Sequence, residues 1–280
     1  MTYGWAILVI AVVLGVLFQL GVFSSANFAP KAKAGQCQIQ VVGSGQSTTH
    51  QLAGLCSPEL PQFVAQLGGS GAYLQMPTST FPANEVLNNL TYTAWAYDSG
   101  ITGFGGGIVG AGTCNGLDCA DIEYNDIAIR FEQQGGSGGY TPFALGSYKG
   151  TWVFLTLSIG SATGEADYVD GKLVAQNGAY IGPLTFTYPG CCGAYKLGTW
   201  DNWFNGYISN VQIYNASLTQ AEVTALYQEG IGGTPVRPQN IVAWWPLNGN
   251  LNDYSGNNNN LQNNGAGFDG AWTNTYSGPE

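Results

Sequence analysis

Four acids crowd into DCADIEYND: Asp118, Asp121, Glu123 and Asp126. Paired carboxylates are what glycoside hydrolysis requires, one as acid and one as nucleophile or base. On a strand, Asp121 and Glu123 would share a face. The neighbouring Cys119 and the polar flanks favour a different reading, a loop beside a disulfide with no catalytic role. The sole histidine, His50, has no serine and aspartate partners with which a nucleophilic triad can be built, and no Gly-rich phosphate loop with a lysine follows a strand. No enzyme is expected.

Binding chemistry has better material. Asp253 and nearby carbonyls in NDYSGNNNN offer calcium hard oxygen ligands, although one carboxylate makes a weak site. Trp95, Trp152, Trp244 and Trp245 sit in alternating strands and read as core. Trp200, Trp203 and Tyr195, in a Gly-rich region, read instead as exposed rings able to stack on a sugar face.

Charge narrows the partners. Seven Lys and Arg stand against seventeen Asp and Glu in 280 residues, a net charge of −10, so there is no basic footprint for nucleic acid. All six cysteines, Cys37, Cys56, Cys114, Cys119, Cys191 and Cys192, follow the first 36 residues, and no C-x-x-C pair invites zinc. An exported, disulfide-stapled domain is expected. Cys37 and Cys56 flank one polar segment and are expected to pair. The other four allow three pairings, with Cys114 and Cys119 favoured to meet Cys191 and Cys192. Two sequons, at Asn89 and Asn215, also point outside the cell as glycosylation sites.

Such residues need a scaffold, and the chain reads as mainly β. QIQVV (38–42), FVAQL (63–67), AYLQM (72–76), LTYTAWAY (90–97), IAIRFE (127–132), TWVFLTLSI (151–159), ADYVD (166–170), KLVAQ (172–176) and YISNVQIY (207–214) are short, partly alternating and rich in β-branched and aromatic residues. Hairpin turns are expected at Asn115-Gly116, Asp170-Gly171, Asn177-Gly178, Asn205-Gly206 and Asn248-Gly249. The pattern predicts a two-sheet antiparallel sandwich over 37–280. One short helix is expected near 219–229, started by the capping box Thr219-x-x-Glu222 and ended by Gly230.

Residues 1–24 are different. Met1 to Phe23 carries no charge, and the first charged residue is Lys31. A helix from Thr2 to Phe23 would span roughly 33 Å, enough to cross a bilayer, and residues 25–36 read as a linker. Gly4, Ala11 and Gly15 fall near one face and permit close helix packing, with Gln19 a turn further on. The segment MTYGWAILVIAVVLGVLF resembles the N-terminal helix of archaeal type IV pilin-like proteins made with a class III signal peptide. The family's basic leader does not precede the run in this sequence, as expected if processing has removed it or if the start is internal, and Trp5 stands where many bacterial pilins carry an acid. The resemblance implies copies of this chain packed helix to helix in a filament core, with the membrane as the helix's site before assembly.

The set AYLQMP, LTYTAWAY, GTWVFLTLSI, ADYVDGKLVA and FNGYISNVQIYNASLTQAEVTALY resembles a laminin G-like, concanavalin A-like jelly roll over about residues 60–230. IVAWWPLNGNLNDYSGNNNN (241–260) resembles the segment that opens such domains, yet it follows the helix. The resemblance therefore implies a circular permutation, with 241–280 supplying the opening strand to its own domain or to a neighbour's. Some glycosidases of this fold carry E-x-D-x-x-E, an order that the acidic cluster does not match. Relatives often place an acid after F-x-G-x-I, where Ser209 and Asn210 stand here. The combined expectation is a structural subunit of an extracellular, cell-surface pilus-like filament displaying its head for adhesion to a glycan or surface ligand. The alternative is a single-span, membrane-anchored lectin-like adhesin or carbohydrate-binding protein; a third reading, an anchored glycoside hydrolase, rests on the acidic cluster alone.

Overall fold

The computed structural model describes residues 37–43, 46–52, 63–69, 71–82, 85–100, 106–113, 118–124, 128–133, 143–144, 148–177, 183–185, 196–198 and 203–269. The run 1–24, with Gly4, Trp5, Ala11, Gly15 and Gln19, and the linker 25–36 lie outside them. Among the described residues no helix is long and apolar enough to cross a membrane.

Strands are numbered in chain order. A separate hairpin joins β1 (Cys37–Gly43) to β2 (Gln46–Leu52). One sheet has seven strands in the order β10 (Phe143–Ala144), β9 (Ala128–Gln133), β8 (Asp118–Tyr124), β7 (Gly106–Thr113), β15 (Lys196–Leu197), β4 (Tyr73–Gln75) and β18 (Gln262–Asn264). The other has eight. Its path runs β13 (Lys172–Asn177), β12 (Gly164–Val169), β11 (Trp152–Gly160), β6 (Asn89–Asp98), β16 (Asn205–Tyr214), β3 (Val64–Gly68) and β19 (Gly267–Asp269), with β17 (Ile241–Trp245) beside β16. A two-stranded ladder pairs β5 (Val86–Leu87) with β14 (Leu184–Thr185).

Strand alternation builds the layers. Val153, Leu155, Leu157 and Ile159 of β11 point between the sheets, where they join Leu74, Val109, Ile122 and Trp245 in the main core. Trp152 and Phe154 point the other way, into a second cluster with Trp95, Tyr168, Val223 and Leu226. Every residue of β11 is buried, because both of its faces are covered. The outer cover is α1 (Gln220–Glu229), whose Tyr227 ring stacks on Trp95 at 5.8 Å between centroids.

The helix begins as expected. Glu222 N–H donates to Thr219 Oγ1 at 3.4 Å and Thr219 N–H donates to Glu222 Oε2 at 2.8 Å, the two halves of the capping box. Gly230 ends it at φ 77°. Asp170 and Gly171, with φ of 50° and 71°, make the expected tight turn. Asn205-Gly206 does not: both residues lie inside β16. The glycine is there because a side chain would strike the carbonyl oxygen of Tyr97 on the neighbouring strand.

Residues 241–269 close onto their own chain. Trp245 pairs with Val211 in β16, Gln262 with Gln75 in β4, and Phe268 with Ala65 in β3. Asn210, held at φ 46°, fastens the addition: it accepts from Trp244 Nε1 at 2.8 Å and donates to the Gly233 carbonyl at 2.9 Å.

Candidate binding face

Leu74 and Leu197 enter the core, so their neighbours Tyr73, Gln75 and Lys196 must face outward from the seven-stranded sheet. Register aligns Lys196 with Gln75 and Gln75 with Gln262, while Tyr73 stands opposite Asn264. Neighbouring strands lie about 4.8 Å apart, so these polar groups form one continuous strip. Gln262 is exposed, and Tyr73, Gln75, Lys196 and Asn264 are half-buried.

Trp203 completes the corner. It is 38% exposed, and its ring lies 6.0 Å from that of Tyr73, tilted by 30°. Lys196 Nζ sits 4.5 Å from the centroid of the same tyrosine. Three segments far apart in sequence thus deliver two accessible rings, an ammonium and several amides to one spot. Flat rings stack against the C–H faces of sugars, and amides both donate to and accept from hydroxyls.

The same sheet face is closed at β7 and β8. Gly110 on β7 separates Lys196 from Asp121 in register. Asp121 and Glu123 are 0% and 2% exposed. The acidic cluster, expected as a loop, is therefore a strand: Ala120 and Ile122 point into the core and leave the two acids sharing the opposite face. In register Glu123 stands across from residue 130 on β9. Asp126 lies outside the described residues.

Asp253, expected to ligate calcium, has its carboxylate committed to its own loop. Oδ1 accepts from the N–H groups of Trp244 at 2.9 Å and Ser255 at 2.8 Å; Oδ2 accepts from Ser255 Oγ at 2.8 Å and Asn259 N–H at 2.9 Å. A cation there would have to displace bonds that hold the loop together. Among the described residues no group of three or more His, Cys, Asp or Glu could hold a metal ion.

The remaining candidates divide. Trp95, Trp152 and Trp245 are buried, as alternation suggests, and Trp244 is half-buried against Tyr254. Trp200 and Tyr195 lie outside the described residues, as do Cys56, Cys114, Cys191 and Cys192. Cys37 opens β1 and Cys119 is the second residue of β8. Asn215 is exposed and its Oδ1 accepts from Asn240 Nδ2 at 3.0 Å, whereas Asn89 is half-buried at the start of β6. Sequence reading missed Tyr73 and Lys196. For the tyrosine the alternation in AYLQM was a usable signal; the lysine sits in a two-residue strand that offers none.

A twin-sheet antiparallel sandwich with one outer face under a helix is the build of a concanavalin A-like domain. The laminin G-type profile of the concanavalin A-like lectin/glucanases superfamily matches residues 68–224, and the chain belongs to that superfamily. A Bacteroides ovatus protein described as carbohydrate-binding superposes with a TM-score of 0.58 at 15% identity, over 85% of this chain and 71% of its own. The heptameric SAP-like pentraxin of Limulus polyphemus gives 0.52 at 13% identity, over 76% of this chain and 96% of its own. At such identities the likeness is one of fold. No curated protein matches the sequence.

Proposed function

We propose that the β-rich head is a non-enzymatic, lectin-like carbohydrate-binding domain displayed at the cell surface. The observation that carries this reading is the open corner where Trp203, Tyr73 and Lys196 meet beside a strip of amides. The B. ovatus protein's description supports it. Binding of the full chain, held in detergent, to a panel of immobilised glycans tests it: Tyr73→Ala should lower the signal at least about tenfold, in line with the loss of a stacking anchor. Equal binding by the variant, or none by the native chain, would overturn the reading.

The charge-free run from Met1 to Phe23 favours a second, more specific reading: the head is carried on a pilus-like filament whose core is built from that run in copies of this chain. Electron microscopy of material sheared from cells should then show thin filaments, and their absence would leave the anchored lectin. We also read 241–280 as the family's opening segment moved to the other terminus, a reading supported by the pairing of β17 with β16.

A further inference from the structure

Lys196 is one of only seven Lys and Arg residues in a chain of net charge −10. Its side chain is half-buried, and its partners in register are Gln75 and Gly110, neither of them charged. Among the described residues it makes no ion pair; its ammonium rests over the Tyr73 ring, 4.5 Å from the centroid. The acids on the same sheet face, Asp121 and Glu123, belong to β8, two strand spacings or about 10 Å from β15.

An ammonium resting on a ring has no full acceptor on that side, since a π-face offers a partial negative charge and no lone pair. An anion arriving over the corner would supply the acceptors. Trp203 lies against the same tyrosine, so a single saccharide can touch the indole with its apolar face and the ammonium with a charged substituent. Gln75 stands beside the lysine, and Gln262 lies one strand further along the same face, where their amides can meet the saccharide's hydroxyls. The acidic chain as a whole repels polyanions, so any preference for an acidic ligand must arise at short range, at this lysine.

Resting on the carbohydrate-binding reading, we infer that the open corner selects an anionic saccharide, one bearing a carboxylate or sulfate, whose charge is met by Lys196 while its ring stacks on Trp203. The test is a glycan array of matched members: uronic-acid chains beside their methyl esters, and sulfated chains beside their desulfated forms. Full-length chain in detergent should favour the acidic member of at least one pair about tenfold or more, the usual worth of one charge-assisted hydrogen bond. Lys196→Gln should bring that ratio close to one, whatever it does to the affinity for both members, and Lys196→Arg should retain it. An unchanged melting temperature in both variants shows that the fold is intact. The uronate and sulfate arms identify the anion. Equal binding of acidic and neutral members, or a preference that survives Lys196→Gln, overturns the inference and leaves the carbohydrate reading standing. Binding to no member overturns both.

Discussion

The two outward faces of the sandwich carry similar side chains and put them to opposite uses. On the eight-stranded sheet, Trp95 and Phe154 lie against Tyr227 of α1, Trp152 and Tyr168 belong to the same cluster, and all four are 2 to 8% exposed. On the seven-stranded sheet, Tyr73, with Trp203 against it, has no helix over it among the described residues, and Trp203 is exposed. Aromatic rings on a strand are therefore ambiguous until the next layer is known: a cover makes them core, and an open face makes them a platform. The helix provides its cover through apolar positions Val223 and Leu226, and through Tyr227, which meets both Trp95 and Phe154.

Substitutions should separate the faces by the size and kind of their effect. Trp95→Ala, on the covered side, should cost about 3 to 5 kcal/mol in denaturant unfolding, as expected for a large ring lost from a packed core. Asp253→Ala strands the N–H groups of Trp244, Ser255 and Asn259 and should cost about 3 kcal/mol. Chelator treatment should leave the native melting curve unchanged, because that carboxylate is already occupied by the chain. Removal of the helix cap by Thr219→Ala should cost about 1 kcal/mol. All three variants weaken the covered side or the loop, and the retained fold should still bind glycan.

A smaller effect lies at Glu222. Burial pushes its carboxyl upward, but the Arg237 guanidinium, donating at 2.8 Å from one of its nitrogens, and the Thr219 donors outweigh that and hold it below its usual 4.5. A lowered folded value means that stability from this group is complete above the usual carboxylate range and is lost as pH falls through the folded value. Melting measured between pH 7 and pH 3 should therefore show an acid-limb loss that Glu222→Gln abolishes. Its size should stay below about 1 kcal/mol, since the pair is partly exposed. Smallest of all, Trp203→Ala should change stability by no more than about 0.5 kcal/mol, because the ring is at the surface.

Legibility followed element length. TWVFLTLSI, LTYTAWAY and YISNVQIY each hold enough alternation to be read as strands, and the capping box placed α1 within a residue of its observed start. The seven-stranded sheet was harder. GGIVGAGT lacks the side chains that announce a strand, since its outward positions Gly110 and Gly112 are glycines, and DCADIEY alternates over too few apolar residues to outweigh its charge. The open corner is assembled from segments of two and three residues at 73–75, 196–197 and 262–264, none long enough to show a period. Trp203 was readable as an exposed ring from its Gly-rich surroundings. Its partners were fixed by sheet order alone, which no local pattern encodes.

Trp203→Ala and Trp95→Ala compared side by side give the most direct test of the claim that the uncovered face is the binding face. Both variants would be measured for melting temperature and for binding to the glycan that the native chain takes best. The account predicts that Trp203→Ala melts like the native chain and loses binding, while Trp95→Ala melts far lower and, below its transition, still binds. Native-level binding by a fully folded Trp203→Ala variant would contradict it.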